Sequence, residues 1–471
     1  MRISYYVALA GAAALLTGCT VGPNYKRPQV AVPENFRAPE PLAQPQADSL
    51  ADLKWFEVFR DPQLQDLVRV ALVQNYDLRQ AVARVDEARA SLGITRSDQF
   101  PQVTASGAVQ LTRTSRDGQL PLPPSFLPSQ NRNWGEAGLN LLSFQLDLWG
   151  QLRRATEAAR ANLLNADWNR KTVITTVVSQ VAADYFQLLE LDSELDISKN
   201  TLQTRQDSLR LTLQRQTHGI ATLLDVRQAE QLVDTTAESI PQLQQQIEQT
   251  EDQVSLLLGR DPGNVARDRP FNPRSVPPDV PAGLPSALLE RRPDIRAAEQ
   301  ALIAANANIG VAKAAFFPQI SLTGSIGGQS SKLASLFSGP NRVWSFIPQI
   351  TQPIFTAGRL KSNLRLAKAQ HEEAQVLYEK SIRNAFTEVS DSLIAHQRTR
   401  ESRVEQEKLV TTLQDRKRLA YDRYRGGVDT QLNALDADRD LLSAELTLAQ
   451  IRYAELVSVV QLYKSLGGGW Q

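Results

Sequence analysis

The chain has 471 residues, and its 52 basic and 51 acidic side chains nearly cancel without a long block of either sign, which argues against a nucleic-acid or polyanion partner. After the first 18 residues no apolar run approaches the roughly 18–20 residues of a spanning helix, so any membrane crossing must use strands. The three histidines (His218, His371 and His396) are scattered, the single cysteine rules out an intrachain disulfide, and no metal spacing, nucleophile motif or phosphate loop appears; nothing points to an enzyme.

Residues 1–18 read as an export signal: Arg2, an apolar run from Ile3 to Leu16, then small residues before Cys19. Leu16-Thr17-Gly18-Cys19 resembles the bacterial lipobox, which implies cleavage before Cys19 and covalent lipid on it. By the same resemblance Thr20, where no acidic residue follows the cysteine, implies sorting to the outer membrane. An ordinary export signal with a cysteine near the cut is the alternative. Residues 19–62 hold Pro23, Pro28, Pro33, Pro39, Pro41 and Pro45 and suggest an extended tether with little core.

The rest is a tandem duplication. Gly150, Gly219 and Gly259 recur 208 residues later as Gly358, Gly427 and Gly467, and residues 77–107 align with 294–324. Repeat 1 spans 63–258 and repeat 2 spans 286–471, joined by a non-helical connector, 259–285, with seven prolines. Each repeat opens with a helix (about 64–98 and 286–314) that ends before a Phe-Pro-Gln triplet, Phe100-Pro101-Gln102 or Phe317-Pro318-Gln319. Alternating segments follow, about 102–114 and 136–148 in repeat 1, and 319–329 and 344–356 in repeat 2. Ten or so residues with a period of two suit a tilted membrane strand. The phase changes near Leu142-Ser143, which a bulge would explain. The intervening stretches 115–134 and 330–343 read as loops.

Each repeat then carries a very long helix, a glycine turn (218–222 or 426–430) and a shorter returning helix; 151–218 and 359–425 contain neither Gly nor Pro. At about 1.5 Å per residue such a helix runs roughly 100 Å, the proportions of a rod. In the last helix Leu432, Leu435, Arg439, Leu442, Leu446, Ala449, Tyr453, Leu456, Val460 and Tyr463 follow a heptad seam with Arg439 its only charge. The lengths predict that two shorter helices stack end to end beside each long one, with the connector and both termini partway along the rod near Gly259 and Gly467. Four strands cannot close alone in lipid, so copies must associate; eight strands need two and twelve need three.

The motifs in order resemble the TolC-like outer-membrane efflux factors, in their lipoprotein (OprM-like or NodT-type) branch. They are Cys19-Thr-Val-Gly-Pro-Asn-Tyr-Lys-Arg-Pro28, Trp55-Phe56 with Phe59, Asp61-Pro62 with Leu64, Asp147-Leu-Trp-Gly150, Arg291-Arg-Pro-Asp-Ile295, Phe316-Phe-Pro-Gln-Ile320 and Tyr424-Arg-Gly-Gly-Val428. Asn24 replaces the usual Asp, and Phe56 a frequent second Trp. The resemblance implies a mainly α protein with a transmembrane β part: a homotrimer whose twelve-stranded β-barrel, in outer-membrane lipid, continues as a periplasmic α-helical barrel. It also implies a passive, gated duct of a tripartite pump, with a periplasmic membrane-fusion adaptor and an inner-membrane transporter of the resistance-nodulation-division (RND) type as partners. No cofactor is implied beyond the lipid on Cys19. Its cargo is left open, though the lack of Met-rich or His-rich stretches argues weakly against soft metals.

The turns are the only places where the helix pairs reverse, and glycine supplies the left-handed ending. Such tips meet the adaptor in the resembled family, which makes Gly219, Thr222, Gly427, Val428 and Thr430 contact candidates beside their plain turn role. Asp436 and Arg439, three apart, can pair on one helix face. With Leu432 they match the closed periplasmic aperture of the family, Leu432 as constriction and the charges as a lock. The bland alternative is an exposed pair worth about 0.3–0.5 kcal/mol. The repeat-1 counterparts, Leu224, Gln228 and Gln231, make any lock asymmetric. A lipid-anchored periplasmic coiled-coil adaptor without a pore is the competing function; two hairpins and membrane-length strands stand against it.

Overall fold

The computed structural model describes residues 20–38, 49–113, 131–267 and 285–470, so the export signal and Cys19 lie outside the described residues. The chain divides into two compact units, one of residues 1–28, 86–165 and 298–377, the other of 29–85, 166–297 and 378–471. Among the described residues the elements are α1 (Trp55–Val58), α2 (Pro62–Gln74), α3 (Tyr76–Ser97), β1 (Val103–Arg113), β2 (Asn131–Leu146), α4 (Gln151–Thr217) and α5 (Leu223–Leu257). Repeat 2 supplies α6 (Leu288–Arg291), α7 (Pro293–Ala314), β3 (Gln319–Ser330), β4 (Arg342–Thr351), α8 (Arg359–Arg425) and α9 (Gln431–Ser465). The repeats match closely: α4 and α8 have 67 residues each, α5 and α9 have 35 each.

The first unit holds one antiparallel sheet in the order β1-β2-β3-β4. Its register places Val103 opposite Leu141, Leu139 opposite Ile326, and Ile326 opposite Trp344. Because side chains alternate, Val103, Val109 and Leu111 share a face with Leu139, Ile320, Leu322, Phe346 and Ile350. The opposite face carries Thr104, Ser106, Gln110, Asn140, Ser325 and Ser345; Asn140 Nδ2 donates to Ser106 Oγ at 2.7 Å, and the Ser325 and Ser345 hydroxyls lie 2.8 Å apart. The β2–β3 register shifts between Leu141 and Phe144, the irregularity that the phase change implies. Two bounds differ from the sequence reading. Strand β2 already begins at Asn131, inside the predicted loop, and β4 stops at Thr351, not 356, because Pro353 follows. Pro348, without an N–H, is tolerated within β4 because β4 is an edge strand.

In the second unit Val178, Val181, Tyr185 and Phe186 of α4 pack with Val460 and Tyr463 of α9 and with Leu50, Trp55, Phe59 and Leu64. The extended tether with little core predicted for 19–62 is therefore corrected over its last third, which is core. Asp61 explains how. One carboxylate oxygen accepts from the Gln63 and Leu64 amides to start α2, and the other accepts from the Tyr185 hydroxyl at 2.9 Å. Tyr463 in turn donates to the Leu53 carbonyl at 2.9 Å. In the first unit the segment after residue 20 is also held, with Arg27 on Glu299 and Arg154 on Asn24.

The helix predicted over 64–98 is split at Asn75. Its Oδ1 accepts from the Leu78 amide to start α3, while Nδ2 caps the Leu257 carbonyl at the end of α5. In repeat 2 the break falls at Arg292, 217 residues later, forced extended by Pro293; Arg292 Nη1 caps the Ser465 carbonyl at the end of α9. Each returning helix thus ends against a break between two shorter helices, near Gly259 and Gly467 as the lengths require. The described part of the connector lies beside the middle of α4, where Arg267 bonds Asp192 and Glu251.

Candidate functional site

The two turns are built alike. In the first, Gly219 adopts φ +76, its amide donates to Gln216 and the Ile220 amide to Arg215 O. In the second, Gly427 adopts φ +75, with its amide on Tyr424 O and the Val428 amide on Arg423 O. Both are Schellman endings, which need a left-handed residue at that position. A side chain added at either glycine would meet nothing within 4 Å, so both turns present open surface.

The starts of the returning helices differ. Thr222 forms a capping box with Asp225: the Asp225 amide donates to Thr222 Oγ1, and the Thr222 amide to Asp225 Oδ2 at 2.7 Å. Thr430 makes no side-chain cap; Asp429 takes that place and accepts from Asn433 Nδ2, the Thr430 amide and Arg423 Nε. Those donors, Asn433 first, hold the Asp429 carboxyl below the usual carboxylate range. Around the predicted contact residues stand further exposed apolar side chains, Ile220, Leu223 and Leu224 at the first turn, while the predicted Val428 is exposed at the second.

The turns are tied to each other. Arg215 stacks on the Tyr424 ring with its guanidinium 4.5 Å from the centroid. Gln431 Nε2 donates to Thr212 Oγ1 and to the Asp225 carbonyl, which links α9 to α4 and α5.

Leu432, Asp436 and Arg439 lie four and three residues apart and share one face of α9. Asp436 and Arg439 form an ion pair at 3.2 Å, and Arg439 also lies 3.6 Å from Asp440. Their burial corrects the predicted seam at this end only, since Leu435, Ala449, Leu456, Val460 and Tyr463 of it are buried. Leu432 is 52% exposed and the Arg439 side chain 63% exposed, so neither packs inside the chain. The buried line at this end of α9 runs through Ala434, Leu435, Ala437, Asp438, Leu441, Ala444 and Leu448. Small alanines let the helices approach along it, and the leucine-weighted pattern drew attention to the neighbouring stripe.

The charge inside the packing is Asp438, whose side chain is fully buried. Arg205 of α4 donates from Nε to Asp438 Oδ2 at 2.7 Å, and from Nη1 to Thr236 Oγ1 and the Leu232 carbonyl of α5. Lys417 Nζ of α8 stands 2.6 Å from Asp438 Oδ1. The Arg205–Asp438 pair with Lys417 thus joins all four long helices, two residues from Asp436. Burial, and then the Asp438 charge, push the nearby Tyr421 hydroxyl above its ordinary range.

Further along α4, burial and then the Glu194 charge raise the Glu190 carboxyl to about 8. Beside it a cavity of about 270 Å³ is lined by Phe186, Asp196, Tyr453 and Leu456. Among the described residues no group of three or more His, Cys, Asp or Glu side chains could hold a metal ion, and no helix is long and apolar enough to cross a membrane.

The family model described as "Outer membrane efflux protein" matches residues 67–260 and 284–468. The chain is 38% identical to the "Toluene efflux pump outer membrane protein TtgC" of Pseudomonas putida, covering 98% of this chain and 95% of that protein. It is 37% identical to the "Cation efflux system protein CusC" of Escherichia coli, covering 100% and 98% respectively. A crystal structure of the open state of the Neisseria gonorrhoeae MtrE outer membrane channel superposes with a TM-score of 0.85 at 32% identity, over 96% of this chain and 99% of that one.

Proposed function

The chain belongs to the outer membrane efflux protein family, and on that premise we propose that three copies form the outer-membrane duct of a tripartite efflux pump. The observation that carries this reading is the sheet. One face is largely apolar across all four strands, the other carries mostly Ser, Thr, Asn and Gln with Trp134, Val343 and Ile347 among them, and among the described residues neither edge has a partner strand. Unpaired backbone groups are not tolerated in lipid, so the edges must join those of other copies. Twelve strands then close with the apolar face toward lipid and the polar face toward the lumen. Lipid on Cys19 anchors each copy.

The glycine turns, with Thr222, Val428 and Thr430, dock a periplasmic adaptor that in turn holds an inner-membrane RND-type transporter. Leu432, Asp436 and Arg439 close the periplasmic aperture: in a trimer they repeat as rings, an apolar constriction beside a charged one. The duct performs no chemistry and leaves cargo selection to its partners. The names of toluene and cation pumps at 38% and 37% identity support that division of labour.

The test is conductance in planar bilayers. Protein carrying Asp436→Ala and Arg439→Ala is expected to show higher single-channel conductance than the unaltered chain. Equal conductance would remove the gate. No conductance from either, with heat-modifiable oligomer present in the bilayer, would remove the duct.

A further inference from the structure

Within one chain, the passage from repeat 1 to repeat 2 is sealed by an aromatic contact just beyond the sheet. Trp149, three residues after the paired Leu146, stacks on Phe317, three residues before its partner Ile320, with ring centroids 4.8 Å apart. Trp149 Nε1 also donates to the Pro318 carbonyl at 2.7 Å. The contact fastens the end of β2 to the Phe-Pro-Gln triplet that opens β3.

The duplication repeats the Phe317 half of this contact at Phe100, puts Ala357 in the place of Trp149, and leaves both edges uncovered. Phe100-Pro101-Gln102, the counterpart triplet, opens the edge strand β1, and Phe100 is 57% exposed. The end of the other edge strand, β4, runs into Ile354 and Phe355, which are 96% and 89% exposed. In one chain these halves lie on opposite edges, three strand spacings apart, or roughly 14 Å.

We propose that Ile354 and Phe355 of one copy seat against Phe100 and Val103 of the next, as Trp149 seats against Phe317 inside the chain. The occupant is a second copy of this chain because β4 and β1 are the unpaired edges and run in opposite senses, as β2 and β3 do. Carrying the β2–β3 register over by the 208- and 217-residue repeat offsets sets Ile354 opposite Val103 and Ala357 opposite Phe100. With β4 drawn on past Thr351 along the joint, Phe355 becomes a diagonal neighbour of Phe100, about 7–8 Å away and within reach of an aromatic ring. This rests on the oligomeric duct proposed above and names the side chains that seal its joints.

The test is thiol cross-linking of the full-length protein in outer membranes. Phe100→Cys with Phe355→Cys, treated with a bismaleimide of about that diagonal span, is expected to give covalent dimer and trimer bands. Either single variant, which still carries Cys19, is expected to give none. Ile354→Cys with Val103→Cys reads the same register, so a folding defect in one pair leaves the contact judged by the other. Monomer alone from both pairs, while amine cross-linking still traps oligomers, would overturn the contact and leave the oligomer standing; that is also the outcome if Ile354 and Phe355 face lipid. Monomer from amine cross-linking of the unaltered chain would overturn the oligomer and this contact with it.

Discussion

Replacing Asp438 with Ala should loosen the end of α9 far more than its lone position suggests. The carboxylate is fully buried and holds Arg205, itself almost fully buried, at 2.7 Å and Lys417 at 2.6 Å. Removing it leaves the Arg205 guanidinium in the packing without its counter-charge. Breaking a buried pair from one side costs about 3–5 kcal/mol. At about 1.4 kcal/mol per tenfold, local opening becomes roughly a hundred- to a few-thousand-fold more frequent. Hydrogen exchange followed by mass spectrometry on peptides covering 431–448 measures this directly, with α7 peptides as the internal control. Arg205→Leu combined with Asp438→Leu should recover most of the loss, because the buried guanidinium and carboxylate leave together and Lys417, whose side chain is 22% exposed, can turn toward water. A change below about fivefold on Asp438→Ala, under 1 kcal/mol, would refute the claim that this cluster ties the four helices together.

Two further outcomes follow from other residues. The Glu190 carboxyl is raised to about 8 by burial and then by Glu194, so the folded chain holds a proton there that the unfolded chain releases near the ordinary carboxyl range. Its contribution is present below that range and is lost as pH rises toward 8. Thermal stability should fall over that window, and Glu190→Gln, which mimics the protonated form, should flatten the fall; an unchanged slope would contradict the shift. Cys19→Ser should abolish metabolic labelling with radioactive palmitate, and persistent label would place the lipid elsewhere.

What could be read from the chain, and what could not, divides by range. The helix lengths and turns were visible because a left-handed ending demands glycine, and Gly219 and Gly427 both sit at positive φ. The strands were visible because alternation is a local pattern, down to the irregularity at Leu141–Phe144. Asn75 was missed because its cap partner, the Leu257 carbonyl, is 182 residues away. The buried 49–64 segment was missed because proline-rich flanks hid a few large side chains whose partners, Phe186 and Tyr463, lie far along the sequence. At the proposed aperture, Asp436 and Arg439 were legible as an i, i+3 pair. Asp438 was not, since Arg205 is 233 residues distant and either residue alone on a helix looks solvated.

The duplication supplies four long helices but only one such anchor. By the 208-residue offset the counterparts of Arg205, Asp438 and Lys417 are Leu413, Glu230 and Leu209, and Glu230 pairs with the exposed Arg227 on its own helix. The buried charged tie between the hairpins therefore runs through α9 and has no equivalent on α5, while Arg215 on Tyr424 joins α4 to α8 at the turns. Leu432, Asp436 and Arg439 ride on the opposite side of the same stretch of α9, so their position depends on the buried one. A displacement of α9 that widened an aperture must either carry α4 along through Arg205 or break the Asp438 cluster, leaving a buried guanidinium without its counter-charge. The side chains proposed as the gate are exposed and cost little to move; on this argument the cost of moving α9 within each copy lies two residues away, inside the packing.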